Sequence, residues 1–219
     1  MNDIGEPPSP TMQAAPKIGE PAPDFSARTT QGPLTLSALR GHWVMLFAHP
    51  ADFTPVCTSE FIALSRAAED FEKLDCALVG ISVDSLPSHL AWVETIRTQF
   101  GVTVPFPIVE DPTMAIARAY GTLDATSENS ATVRTVHVID PDGVIRAMTW
   151  YPMSVGRSVS ELLRLVAALQ AAANGEALTP EGWTPGEPVF APPPQTQDAL
   201  DHTEGAWFMQ LARPKAAGR

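Results

Sequence analysis

The run Trp43-Val44-Met45-Leu46-Phe47-Ala48 is apolar at every position, and Thr54-Pro55, a strong helix-start signal, follows it closely. A strand without polar alternation is one the fold must bury. Thr54 supplies an oxygen-bearing cap, and Pro55 suits the first helical position. The pattern then repeats. Residues 77–83 read as a second buried strand, and a helix begins after Leu86-Pro87, with Leu90, Val93, Ile96 and Phe100 at roughly helical spacing. Strand-helix-strand-helix order implies a parallel sheet core with right-handed crossovers.

The remaining segments fill out an α/β domain. Phe25–Thr29 and Leu34–Leu36, separated by Thr30-Gln31-Gly32-Pro33, predict a short hairpin. The helix opened by Thr54-Pro55 is expected to run over about 55–73. A short strand is expected at 106–109 and a short helix at 112–119, ending at Tyr120-Gly121. Asp140-Pro141-Asp142-Gly143 is a strong turn between two β-rich stretches, 132–139 and 144–150, which predicts an antiparallel hairpin. Ser158-Val159-Ser160-Glu161 is a capping box opening a helix through Leu169, and Asn174-Gly175 closes it.

Three segments are expected: a flexible arm over 1–16, rich in proline and small polar residues, a main domain over 17–174, and an extension over 175–219. The extension is rich in proline. With Trp183, Phe190, Trp207 and Phe208 spaced through it, it reads as extended chain with aromatic anchors and little regular structure. At 219 residues and 44% hydrophobic content the chain can bury a sizeable core. A net charge of −11 opposes binding to nucleic acid or an anionic membrane. No apolar run is long enough to cross a bilayer, and no secretory signal is evident, so the expected location is cytoplasmic.

Cys57 falls in the first turn of the helix that follows the apolar strand. Unpaired backbone N–H groups and the positive end of the helix dipole favour a thiolate there. By itself the position allows either a reactive thiol or a small buried hydrophobe. The other cysteine, Cys76, begins the next strand. A helix of about 16 residues spans about 24 Å, which places the two sulfurs beyond disulfide range. Cys76 is therefore read as structural, and no cysteine follows it.

Pro50, Thr54 and Cys57 match the Pro-x-x-x-Thr-x-x-Cys signature of the peroxiredoxins. Ala131-Thr132-Val133-Arg134-Thr135-Val136-His137 through Gly143 resembles a second block of that family, and Tyr151-Pro152-Met153-Ser154-Val155-Gly156-Arg157-Ser158 a third. The sequence is similar to the one-cysteine, Prx6-type branch of the AhpC/TSA superfamily over roughly residues 17 to 190. The resemblance implies a thioredoxin-like fold, a mixed sheet flanked by helices, with a small C-terminal domain that packs on a partner subunit. It implies a thiol peroxidase acting on hydrogen peroxide and organic hydroperoxides, with no metal, flavin or haem. Cys57 would attack the peroxide and become a sulfenic acid. An external thiol or other small reductant would restore it, and a homodimer or higher oligomer is expected.

Within the same resemblance, Arg134 and Thr54 would stabilise and position the peroxide. Pro50 would wall the pocket, His49 would hydrogen-bond Cys57, Glu60 would orient an arginine, and Arg157 would be a second arginine of that network. Some Prx6-type proteins also carry a Ser-His-Asp lipase set. Here the serine position holds His42 and the histidine position Leu36, with only Asp142 retained, so no lipase activity is expected. A thioredoxin-type dithiol enzyme is excluded because position 54 is threonine rather than cysteine. A Cys-His hydrolase using His49, His89 or His137 has no family signature behind it. A peroxide sensor or redox-regulated holdase would use the same cysteine without turning over.

Overall fold

The structure, a computed structural model, describes residues 15–123, 132–202 and 205–212. Among these, no helix is long and apolar enough to cross a membrane. The described residues form nine strands: β1 (Ser26–Thr29), β2 (Gly32–Thr35), β3 (Trp43–Ala48), β4 (Cys76–Ser82), β5 (Ile108–Glu110), β6 (Arg134–Ile139), β7 (Ile145–Tyr151), β8 (Val189–Phe190) and β9 (Leu211–Ala212). Their helices are α1 (Pro55–Arg66), α2 (Ala68–Lys73), α3 (Leu86–Phe100), α4 (Ala115–Ala119), α5 (Val159–Ala172) and α6 (Gln197–Asp201).

The first seven strands form one sheet in the order β2-β1-β5-β4-β3-β6-β7. Strand β3 is central. It pairs parallel with β4 and antiparallel with β6, which makes the sheet mixed. Its alternate residues serve two cores. Met45 and Phe47 join Phe61, Phe71, Trp92 and Leu162 on one face, whereas Val44 and Leu46 join Ile81, Val109, Tyr120 and Ile139 on the other. That explains why no position of 43–48 is polar. Behind it, a Cβ on Gly80 would lie 3.2 Å from Phe61 and 3.3 Å from Phe47, so a side chain there would press these rings back by a few tenths of an ångström.

The predicted 55–73 helix is two helices. At Ala67 the backbone leaves the helical region (φ −96°, ψ 2°), a break that neither glycine nor proline announces. Asp75, in the left-handed region at φ 49°, then turns the chain into β4. The strand expected at 106–109 begins two residues later, although Phe106 is still buried in the core. The helix expected at 112–119 shortens to α4, because Met114 just before it stands in the left-handed region at φ 59°, while Asp111 accepts from the Ala117 N–H at 2.7 Å. The predicted hairpin forms as β6 and β7. Ser158 Oγ accepts from the Glu161 N–H at 3.3 Å, which is one half of the expected capping box, while the Glu161 carboxylate accepts from Arg164 instead of reaching back.

The extension has more regular structure than its composition suggests, with α6 and a two-stranded ribbon of β8 and β9. Trp183 is buried against Ala167 and Ala168 of α5 and Val189 of β8, and its indole N–H donates to the Glu187 carbonyl at 3.1 Å. Trp207, Phe208, Met209 and Leu211 remain exposed. Nearly all of the predicted flexible arm, residues 1–14, lies outside the described residues.

Candidate active site

The site forms past the end of β3, where the chain crosses residues 49–54 and enters α1. Thr54 occupies the cap position in an extended conformation, and Pro55 takes the first helical turn. Cys57, at the third helical position, is fully buried. Arg134 opens β6, the antiparallel neighbour of β3, so it arrives at the same end of the sheet. Its Nη1 donates to Cys57 Sγ at 3.1 Å and to Glu60 Oε2 at 2.9 Å. The other edge of the guanidinium is fixed by the Met153 carbonyl, which accepts from Nε at 3.0 Å and Nη2 at 2.8 Å.

Glu60, one turn after Cys57, also binds Arg157. The Arg157 backbone N–H and Nε donate to Oε1 at 2.7 and 2.9 Å, and Nη2 donates to Oε2 at 2.7 Å. Arg157 Nη1 donates to the carbonyls of Ala48 and Thr135, both at 2.9 Å, while its guanidinium lies over the Phe47 ring at 5.4 Å. Burial pushes the Glu60 carboxyl up. The hydrogen bonds and charge of Arg157, with the charge of Arg134, outweigh that and hold it below its ordinary 4.5. Two guanidinium groups and one carboxylate leave one positive charge in this buried cluster, and it bears on the Cys57 sulfur. Such an arrangement can stabilise a thiolate and then the anionic oxygen that a peroxide leaves behind.

A family profile described as AhpC/TSA matches residues 18–148, and one described as the C-terminal domain of 1-Cys peroxiredoxin matches residues 168–205. The chain belongs to the AhpC/TSA family, the peroxiredoxins. Peroxiredoxin 2 of Caldanaerobacter subterraneus subsp. tengcongensis is 48% identical over 185 residues, covering 84% of each chain. Among solved structures, a yeast mitochondrial 1-Cys peroxiredoxin superposes with a TM-score of 0.82 at 36% identity, over 90% of this chain and 99% of that one. A cysteine-to-serine mutant of peroxiredoxin 6 from Arenicola marina also gives 0.82, at 30% identity over 93% and 100%. The protein is thus a peroxiredoxin, a thiol peroxidase of thioredoxin-like fold with 1-Cys features in its extension.

Of the residues singled out in the sequence, Cys57, Glu60, Arg134 and Arg157 form one connected network. Pro50 is buried in the loop just before it. Thr54 donates its hydroxyl to the Ala51 carbonyl at 2.9 Å, so it caps neither the helix nor the sulfur. His49 makes no hydrogen bond to Cys57. Its Nε2 instead lies 3.0 Å from Asp52 Oδ1, and its ring stacks on Trp92 and meets the edge of Phe61. Complete burial pushes its imidazole down from 6.5.

Sequence reasoning missed the pairing of Asp52 with His89. His89 Nδ1 lies 2.8 Å from Asp52 Oδ2, and the pair is 37 positions apart, so no local pattern announces it. Burial raises the Asp52 carboxyl, but the hydrogen bonds from His49 and His89 more than reverse this and hold it well below the carboxylate range. His49, Asp52 and His89 are the one metal-ligand-type group found among the described residues, with donor atoms within 4.8 Å. Each imidazole nitrogen that faces Asp52 is already engaged in a hydrogen bond, which leaves the group better suited to bracing the loop.

Cys76 sits at the amino end of β4, where burial pushes its thiol up to about 12. At the positions compared with the lipase set, His42 pairs with Asp75 at the surface (2.6 Å) and Leu36 is buried.

Proposed function

We propose that Cys57 reduces hydrogen peroxide and organic hydroperoxides by a one-cysteine cycle. The observation that carries this reading is the Arg134 guanidinium 3.1 Å from Cys57 Sγ, pinned by Met153 and Glu60. The thiolate attacks one peroxide oxygen and the O–O bond breaks. Cys57 becomes a sulfenic acid, and the leaving oxygen takes a proton to become water or an alcohol. Arg134 stabilises the charge on the sulfur and then on that oxygen. Glu60 and Arg157 keep Arg134 in place, while Thr54, Pro50 and His49 shape the wall around the first turn.

An external thiol completes the cycle. It displaces water from the sulfenic acid to form a mixed disulfide, and a second thiol releases Cys57. Cys76 is an unsuitable internal partner because its buried thiol stays protonated. The yeast relative resolves its thiol through glutathione/thioredoxin systems, which supports the same class of reductant here. A cycle that consumes thiols belongs in a reducing compartment, the cytoplasm. We read residues 1–16, 17–174 and 175–219 as arm, catalytic domain and extension. The outer edge of β7 beyond Arg146, with exposed Trp150, Met153 and Val155 nearby, suits pairing with a second copy in a homodimer, to which the exposed ribbon of the extension adds apolar surface.

Stopped-flow mixing of the wild type and Cys57→Ser with hydrogen peroxide, with sulfenic acid trapped for mass spectrometry, tests the reading. The trapped adduct is expected on Cys57 alone. Peroxide consumption by Cys57→Ser at the wild-type rate would overturn it.

A further inference from the structure

Strand β6 turns two polar residues away from the catalytic side of the sheet. Val136 and Val138 pack into the core that holds Cys57, so Thr135 and His137, which alternate with them, face the opposite layer. Both are buried, at 0% and 1% exposure, and among the described residues neither Thr135 Oγ1 nor His137 Nε2 has a hydrogen-bond partner. Burial pushes the His137 imidazole down to about 4, so the ring is neutral at pH 7 and carries one N–H and one lone pair. Tyr120 and Trp150 meet this ring edge to face, with centroids 5.0 and 6.2 Å away, and hold it in place.

Thr135 and His137 line one cavity. Leu46, Ala48, Ile81 and Ile116 give it an apolar wall, and its volume is about 10 Å³, room for about one water. Residues two apart on a strand stand about 6.6 Å from each other, which is beyond a single hydrogen bond. One water making two bonds of about 2.8 Å spans about 5.6 Å. Thr122 and Thr132 also line the cavity. Their hydroxyls already donate to the carbonyls of Ala117 and His49, and each keeps a lone pair for a further donor. A buried hydroxyl or imidazole nitrogen left unpaired loses its hydration with nothing in return.

We propose that this cavity is a binding site for one internal water, which bridges Thr135 Oγ1 and His137 Nε2. The Thr135 hydroxyl rotates to donate or accept, and the ring nitrogen takes the complementary role that its tautomer allows. The site lies behind the catalytic centre and does not open into it. Ala48 and Thr135, whose carbonyls accept from Arg157 Nη1, both belong to its wall. The water therefore braces, from the far face of the sheet, the two strand segments that carry those acceptors.

Thr135→Val keeps the side-chain shape and deletes the hydroxyl. With a bridging water, the change strands His137 Nε2, and the folding equilibrium constant from urea unfolding should fall roughly threefold to tenfold, the range one net hydrogen bond represents. With a bare hydroxyl, deleting it would raise that constant, so the sign of the change decides. His137→Phe should lower the constant as well, because it strands Thr135 Oγ1. The Thr135→Val/His137→Phe pair leaves neither atom stranded, so its loss should be smaller than the two single losses combined. In a high-resolution crystal structure, a water peak within hydrogen-bond distance of both atoms is expected in the wild type and in Thr135→Ser, and none in Thr135→Val. If Thr135→Val does not fold, His137→Phe and the crystal structures carry the same comparison. A folding constant that rises or stays level in Thr135→Val, additive losses in the pair, or wild-type density without this peak would overturn the site.

Discussion

Cys57 and Cys76 bracket the α1–α2 helical pair and are both buried, at 0% and 4% exposure. Their surroundings differ in kind. Past the carboxyl end of β3, Cys57 faces a guanidinium that is fixed by a carboxylate and two bonds to a carbonyl. At the amino end of β4, burial raises the Cys76 thiol, and only a backbone hydrogen bond from Met45 opposes it. The nearby charge of Asp75 adds to the rise, and the thiol is pushed up to about 12. Burial alone makes a thiol inert. On the proposed reading of Cys57 as the reacting thiol, the contrast teaches that a fixed cation, more than access to solvent, would separate a working cysteine from a packing one.

Removing that cation should have the largest effect on the contrast. Arg134→Ala is expected to slow oxidation of Cys57 by hydrogen peroxide about 10²- to 10³-fold, the usual consequence of losing a preorganised charge donor. Oxidation at the wild-type rate in a stopped-flow trace would mean that the guanidinium is not what distinguishes the two thiols. Arg134→Lys tests the fork itself, since an ammonium cannot serve Cys57, Glu60 and Met153 together.

Glu60→Gln should act next, on stability. It leaves two buried guanidinium groups without their carboxylate and should cost roughly 3–5 kcal/mol at pH 7, measured by urea unfolding. Folding holds the Glu60 carboxyl below 4.5, so the unfolded chain takes up this proton first as pH falls. The stability that Glu60 provides is complete above about pH 4.5 and is lost as pH falls through the folded value. The gap between wild type and Glu60→Gln should therefore narrow in acid, and a gap that stays constant to about pH 3 would contradict the assignment.

The smallest effect belongs to the other cysteine. Cys76→Ala should leave peroxide turnover within about twofold and lower stability by about 1 kcal/mol, as a modest change in packing does. A large loss of turnover would erase the distinction between the two sites.

Much of the fold was legible because its strongest signals are local. The apolar 43–48 run, the Asp140–Gly143 turn and the Ser158 cap each act within a few residues, and each forms as read. The break at Ala67 was not legible, since no residue near it disfavours helix. Strand order was out of reach for periodicity, because β1 beside β5 and β3 beside β6 are pairings over long separations. In the site, Cys57 and Glu60 share one helix, and the family blocks led to both arginines. His49 was expected against Cys57. It turns to Asp52 because a buried imidazole finds its strongest partner in a carboxylate, and that carboxylate is itself held by a residue on another helix.

Both active-site arginines are held partly by backbone: Arg134 by the carbonyl of Met153, and Arg157 by those of Ala48 and Thr135. A carbonyl survives any change of its own side chain that keeps the chain path. These anchors are therefore mutationally silent, so substitution scans at 48, 135 and 153 will under-report them. Only an alteration of the main chain itself, such as replacing the acceptor amide by an ester, would make their contribution visible.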